Sequence, residues 1–311
     1  MSQERLLNNV ISVMLLAGFQ VSEQFSMRPK SFDIVASNGE EIIIMKVVSH
    51  IDSVSEEIAF DLDQIARYIS GSPLIIGERA RDTELERGAV YVRYGIYAIN
   101  YATLHDFFVE ESPPLIYASP GGLYVNISGE RFHELRETHH LSLGDMAHML
   151  GVSRRTISKY ESGMGTTIEI AIKIEETFDH GVIESIELLD YDSQFEGRTD
   201  IRADETDAAF AQVLSDLGLK LHAMHRAPFQ AMIVYDDQTI LTGYGRAQKI
   251  IRRAEIIGNI SEVTGMHAMC VATDDNRQRR VGKTLVVGEE TLLHLEEAED
   301  LIEMITPQTY I

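Results

Sequence analysis

The sequence predicts a multidomain chain of α+β and α/β type, with an all-α segment between two α/β units that carry mixed sheets. Three observations predict it. Residues 131–179 hold apolar positions at helical spacing, broken by caps and by a glycine turn. Strand-like runs alternate with long amphipathic helices on either side of that segment. The order of those flanking runs then recurs, so that the last third of the chain reads as a repeat of the first.

Residues 3–17 place apolar side chains at helical spacing and stop at Gly18. FQVSEQF (19–25) alternates as a short strand would. SFDIVAS and EEIIIMKVVS follow, joined by Asn38-Gly39, a strong hairpin signal. The second run is almost continuously apolar, as a strand covered on both faces should be. Over 53–70, the spacing of Ile58, Leu62, Ile65 and Ile69 predicts a helix with one buried face. SPLIIGE, AVYVRYG and IYAIN read as strands, Tyr101 to Glu110 as a helix, and LIYASPGGLYVNISG as a hairpin leading into the central segment.

In that segment Ser142 caps a helix, with Asp145 three residues on in capping-box spacing. Met146, Ala147 and Leu150 face inward, and Ala147 must be small where the next helix crosses. Gly151 makes the tight turn, Val152 plugs the corner, and Ser153 caps a third helix whose inward residues are Ile157 and Tyr160. That leaves Arg154, Arg155, Ser158 and Lys159 facing out.

The arrangement resembles the Cro/CI-type (XRE) helix-turn-helix, with Ala147, Gly151, Ile157 and the closing Glu161-Ser162-Gly163 at that family's positions. Many relatives carry glutamine at the first position of the second helix, where this chain has Leu143. The resemblance implies double-stranded DNA as partner, with the helix after the turn in the major groove. Arg154 and Arg155 are then the expected base readers, since arginine donates two hydrogen bonds to guanine O6 and N7. Lys159 is expected on a base or a phosphate. Ser142, Ser153, Thr156 and Ser158 complete the expected DNA-contacting set, positioning the helix on the backbone.

The first unit resembles the restriction-endonuclease-like superfamily, whose site joins an Asp to an Asp/Glu-x-Lys on the next strand. Asp33 stands at the first position and Ile44-Met45-Lys46 at the second, while Gln64 and Tyr68 match a Gln-x-x-x-Tyr pattern on the following helix. That chemistry needs two or three carboxylates around Mg²⁺, and Ile44 cannot ligate a metal. Glu40 and Glu41 lie near the turn, from where they could approach. The expectation is therefore a vestigial nuclease motif without catalysis.

After residues 183–203, acidic and irregular with one apolar handle, the element order returns. Leu217-Gly218-Leu219 answers Leu16-Ala17-Gly18-Phe19, Asp236-Asp237 answers Asn38-Gly39, and the helix before Gly265 answers the helix before Ser72. Strands FQAMIVYDDQTILTGYG, MHAMCVAT and KTLVVG and a final helix from Glu289 to Ile305 complete the copy. The nuclease positions there are taken by residues such as Ile233, Leu241 and Gly243. The expected division is 1–126, 127–182, a linker over 183–203, and 204–311.

Charge sharpens the reading. The 311 residues carry a net charge of −22, which excludes a general nucleic-acid coat. Residues 1–126 hold 9 basic and 17 acidic residues, 127–182 hold 6 and 9, and 183–311 hold 12 and 23, yet Ser153 to Tyr160 carries three cations and no acid. DNA contact should therefore be local. Basic clusters at Arg252-Arg253 and at Arg277, Arg279, Arg280 and Lys283 fit either phosphate contacts beside the specific site or ordinary solvated, salt-bridged surface. The one cysteine, Cys270, excludes an intramolecular disulfide and a Cys/His zinc site. His222 and His225 lack a third ligand, and His139-His140 reads as a turn. Walker, Gly-x-Gly-x-x-Gly and Gly-x-Ser-x-Gly motifs are absent from the sequence, so no cofactor is expected.

MSQERLLNN does not read as a signal peptide, and no run nears the ~20 apolar residues of a membrane span, so a cytoplasmic protein is expected. The whole order resembles a family of archaeal helix-turn-helix transcriptional regulators. That resemblance implies sequence-specific regulation of transcription. A homodimer is expected on two half-sites, with the flanking units serving for dimerisation, protein partners or a small-molecule effector. The competing readings are a Mg²⁺-dependent nuclease and a protein–protein scaffold.

Overall fold

The computed structural model describes residues 2–26, 30–178, 181–191, 193, 195, 208–236 and 238–306. Most of the expected linker beyond 191, the first residues of the helix after it, and Asp237 of the second hairpin turn lie outside the described residues.

The chain opens with α1 (Gln3–Leu16), capped by Ser2, followed by β1 (Gln20–Val21), β2 (Ile34–Ser37) and β3 (Ile42–His50). A 3₁₀ turn at Ile51–Ser53 leads to α2 (Glu56–Tyr68), whose cap is Ser55. Next come β4 (Ser72–Ala80), β5 (Thr83–Glu84), β6 (Ala89–Arg93), β7 (Ile96–Ile99) and α3 (Tyr101–Phe108), then the hairpin β8 (Ile116–Ser119) and β9 (Gly122–Ile127). The helical segment is α4 (Gly129–Thr138), α5 (Leu143–Leu150), α6 (Arg154–Glu161), β10 (Thr166–Thr167) and α7 (Ile168–Phe178), left through β11 (Ile183–Glu184). The second α/β unit runs α8 (Ala208–Asp216), β12 (Lys220–Ala223), β13 (Ala231–Tyr235), β14 (Gln238–Gly245), α9 (Ala247–Thr264), β15 (His267–Ala272), β16 (Arg279–Val281), β17 (Thr284–Gly288), α10 (Glu289–Leu293) and α11 (Ala298–Ile305).

Several elements differ from their sequence expectation. Only Gln20–Val21 of the run 19–25 pairs as strand. The expected helix over 53–70 begins at Glu56, where Ser55 supplies the cap. The last helix is two, separated at 294–297, with Asp300 closing a capping box on Glu297. The basic run near 279 contributes an edge strand to the second sheet.

The two α/β units share one topology. In the first, β1-β2-β3-β4-β7-β6 lie side by side, and in the second β12-β13-β14-β15-β17-β16. Neighbours pair antiparallel, antiparallel, parallel, parallel and antiparallel in both. The parallel strands β3 and β4 are buried along most of their length, because helices cover both faces: α1 and α3 on one side, α2 on the other. In the second unit α8, α10 and α11 answer α1 and α3, and α9 answers α2.

The units dock through their α2 and α9 faces into a single core. Phe32, Leu62, Ile75, Phe229, Leu241, Ile257 and Val286 belong to one contiguous cluster. The C-terminal ends of the parallel strands point the same way in both units. Ser31, before β2, donates from backbone and hydroxyl to the Arg226 carbonyl at that end, and Thr239 at the opposite end donates to the Tyr68 carbonyl.

The all-α segment is joined to the first sheet, not hung from it. β8 pairs with β6, and Val125 and Ile127 of β9 enter the helical core with Phe132, Ile157 and Ile174. Entry and exit lie side by side, with Ile183 opposite Ile127 and the Ser128 amide donating to the Val182 carbonyl. The described part of 183–203 is far from a free tether. Ile186 and Leu188 are buried in the core beneath α1 and α3, and the ring of Phe195 packs edge-on to Phe60.

Candidate nucleic-acid interface and the nuclease-like pair

Local capping chemistry builds the helix-turn-helix. The Ser142 hydroxyl accepts the Asp145 amide at 3.1 Å and donates to the Asp145 carboxylate at 2.6 Å, and the Ser142 amide donates to the same carboxylate at 2.9 Å. These bonds hold the Asp145 carboxyl below its ordinary range. Gly151 ends α5 at φ 74°, a left-handed conformation suited to glycine. Ser153 then caps α6 by accepting the Thr156 amide at 3.1 Å, its hydroxyl also bonded to Thr156 Oγ1 at 2.8 Å. Ala147, Ile157 and Tyr160 are buried between the helices.

Behind the reader sits a clamp that sequence reasoning did not find. Arg136 on α4 donates to Glu161 at the end of α6 (Nε to Oε1, 2.6 Å) and to the Leu141 carbonyl (2.9 Å), so one guanidinium fixes α4, α6 and the loop before α5. Both side chains are largely buried. The ends of α4 and α6 also meet closely, since a Cβ on Gly129 would stand 2.6 Å from the Glu161 carbonyl oxygen. An arginine and a glutamate 25 residues apart carry no pairing signal of their own in the sequence.

The outer face of α6 is open. Arg154, Arg155, Ser158 and Lys159 are exposed, and Thr156 is half-buried. The Arg155 and Lys159 side chains make no hydrogen bond or ion pair among the described residues. Arg154 behaves differently: its guanidinium lies across the start of α5, where a Cβ on Gly144 would stand 3.0 Å from Nη2 and 3.1 Å from Nε. Its charge also helps hold the Asp145 carboxyl ionised. The absent side chain at 144 thus seats Arg154, a signal that a glycine inside a helix does carry.

The nuclease-like residues divide into two groups. Asp33 and Lys46 do come together, 2% and 7% exposed, at 3.4 Å. Yet the carboxylate is already occupied: Lys30 pairs with Oδ1 at 2.9 Å, and the Val47 amide donates to Oδ2 at 2.8 Å. Lys46 donates to the Lys30 carbonyl at 2.8 Å. Gln64 donates instead to Asp63, and the Tyr68 hydroxyl bonds His222 Nδ1 of the second unit at 2.6 Å. Ile44 is buried in the apolar core, and Glu40 and Glu41 lie at the other end of β3, where both amides donate to Asn38. Arg226 of the second unit covers this end of α2, pairing with Glu57 at 2.5 Å and Asp61 at 3.0 Å. A divalent cation wants several free carboxylate oxygens; this donor set does not fit one. Among the described residues no cluster of three His, Cys, Asp or Glu side chains is placed to hold a metal ion.

In the second unit the position of Asp33 is taken by Gln230, not by Ile233. Gln230 Oε1 accepts the Tyr244 amide at 2.7 Å just as Asp33 accepts Val47, and its own amide donates to the Thr242 carbonyl as that of Asp33 does to Met45. Leu241 and Gly243 stand where Ile44 and Lys46 do. The carboxamide keeps the backbone bond and discards the charge.

A capped helix-turn-helix with an open cationic face, set on a PD-(D/E)XK-like sheet, defines a helix-turn-helix protein with a nuclease-type scaffold. The family comparisons agree: residues 3–114 match the PD-(D/E)XK superfamily domain and residues 132–179 the helix-turn-helix domain. The chain is 66% identical over 305 residues to a protein of Methanospirillum hungatei named "Putative HTH-type transcriptional regulatory protein", covering 98% of this chain and 99% of that one. Similarly named proteins of Methanosphaerula palustris (59% identity, 98% and 99% coverage) and Haloarcula marismortui (37%, 98% and 97%) align equally fully. The chain belongs to this archaeal family of HTH-type transcriptional regulatory proteins. No solved structure matches it.

Proposed function

We propose that the protein is a sequence-specific DNA-binding regulator of transcription that reads the major groove with α6. The observation that carries this reading is the open face of α6: four polar or cationic side chains exposed on a capped helix, in a chain of net charge −22. So acidic a chain repels phosphate over most of its surface, so DNA contact has to be confined to local cationic patches. Arg155 is the primary base reader, because it is unengaged and projects from the first turn. Arg154, seated against Gly144, reads a base or a phosphate from a fixed position. The amides at the start of α6, with Ser153, Thr156 and Ser158, meet the backbone, and Lys159 extends the contact. Ser142 serves chiefly by holding α5 in its capping box.

The protein acts as a homodimer in the cytoplasm, since one reader of this size spans a single half-site; no described helix is long and apolar enough to cross a membrane. The nuclease-like pair acts as structure, not as a catalyst. Selection of bound sequences from random duplex DNA tests the reading. A half-site should emerge, and Arg155→Ala should relax one position by about 1–3 kcal/mol of discrimination. Failure to enrich any sequence rejects the proposal. Mg²⁺-dependent cleavage lost in Asp33→Ala would instead favour the nuclease.

A further inference from the structure

A second cationic surface lies on the first turns of α9. Residues 238–254 contain no acid and four bases, Arg246, Lys249, Arg252 and Arg253, within the most acidic third of the chain. Spacings of three and four residues gather them on one flank of the helix. Arg246, Lys249 and Arg252 are exposed, and no side chain of the four makes a hydrogen bond or ion pair among the described residues. Among the unit's other cations, Arg226 is occupied by Glu57 and Asp61, Arg277 and Arg279 by Asp275, and Arg280 by the last carbonyls of α11, whereas Lys220 and Lys283 stand singly.

Arg253 is the informative member. It is half-buried, and burial lowers its pKa with no carboxylate to offset the cost. It lies over Gly243, where a Cβ would meet its Cδ at 3.2 Å. Gly243 occupies the position that Lys46 holds in the first unit. There the lysine is neutralised by Asp33; here the matching residue is the uncharged Gln230, and the guanidinium remains without a counter-ion. Nearby acids do not cancel the patch. Asp274 spends Oδ1 on the Ala247 amide at the helix start, and Glu255 follows one turn later without an ion pair to it.

Position supplies the partner. Arg246 follows the C-terminal end of β14, and both units point their parallel strands the same way. In the first unit that same end carries the root of the helix-turn-helix, where β9 runs into α4 and β11 leaves α7. The cations at the start of α9 and the root of the segment that carries α6 therefore lie at the same end of the two sheets.

We propose that this flank of α9 holds the phosphate backbone of duplex DNA that flanks the site read by α6. It rests on the DNA-reading role of α6 and adds a sequence-independent contact from the second α/β unit. The test compares wild type with a Lys249→Ala, Arg252→Ala double variant, both positions being exposed, by fluorescence anisotropy over a salt series. One duplex carries the selected site alone, and the other extends it on both sides. Wild type should prefer the longer duplex. In the variant the slope of log affinity against log salt on the longer duplex should fall by about 2, so the affinity lost between roughly 50 and 200 mM salt shrinks about tenfold. Binding to the short duplex should be unchanged. An unaltered slope and an unaltered long-to-short ratio, in a protein that still selects its site, overturns the α9 surface alone. A wild type that binds neither duplex overturns the α6 reading, and this contact with it.

Discussion

Asp33 and Lys46 show how a buried residue pair is held by partners from separate segments. With Lys30 and Lys46 on one carboxylate and an amide on the same group, the aspartate pins β2 to β3 and the preceding loop. Removing its charge takes the neutralising carboxylate from two largely buried ammonium groups, so Asp33→Asn should cost about 3 kcal/mol in urea unfolding. A loss below about 1 kcal/mol would show that the pair is dispensable. His222 offers a second test. Its Nδ1 bonds the Tyr68 hydroxyl across the unit–unit interface, and burial lowers its pKa from the ordinary 6.5. The unfolded chain therefore takes up the proton first as pH falls. Stability is complete above about pH 6.5 and declines below it. His222→Gln should flatten that decline in a melting-temperature profile between pH 7 and 5, leaving the part due to His267, which burial shifts the same way.

At the scale of elements, the reader depends on a clamp as much as on its caps. Serine caps and the turn glycine were legible because capping needs particular residues at particular spacings. The Arg136–Glu161 contact was not, because an ion pair across 25 residues exists only once α4 and α6 are folded against each other. Arg136→Met should cost about 2 kcal/mol, seen as faster hydrogen exchange in α4 and α6 while the sheet amides stay protected. Equal loosening of both would place the clamp's effect elsewhere. The same logic separates the two arginines at the start of α6. In sequence they are equivalent neighbours; in the fold Arg154 rests on Gly144 and Arg155 is free.

For the whole molecule, the two α/β units form an internal pair around α2 and α9. The second unit covers the first turns of α2, with Arg226 on Glu57 and Asp61. The helical reader grows from the edge strands of the first sheet, which favours transmission of strain between core and reader over independent tumbling. The segment after β11 completes this. Leu188, 1% exposed, lies in a stretch that composition marks as a linker. Leu188→Ala should lower the stability of the first unit by about 2–5 kcal/mol; an effect under about 0.5 kcal/mol would restore the linker reading of this residue.

Alternating apolar runs, hairpin turns and helix caps are local signals, so the sequence by itself determined the order of elements, the repeated pattern, and the open cationic face of α6. It could also exclude a second metal carboxylate, because Ile44 has no oxygen to offer. Whether Asp33 remained available depended on Lys30 and the Val47 amide converging from separate segments, and on a second unit closing over α2. Which residue replaced Asp33 in that unit depended on strand register, which a shift of a few positions reassigns from Ile233 to Gln230. Tertiary structure alone decided these points, because pairing, burial and counter-charge are properties of residues brought together from far apart in the chain.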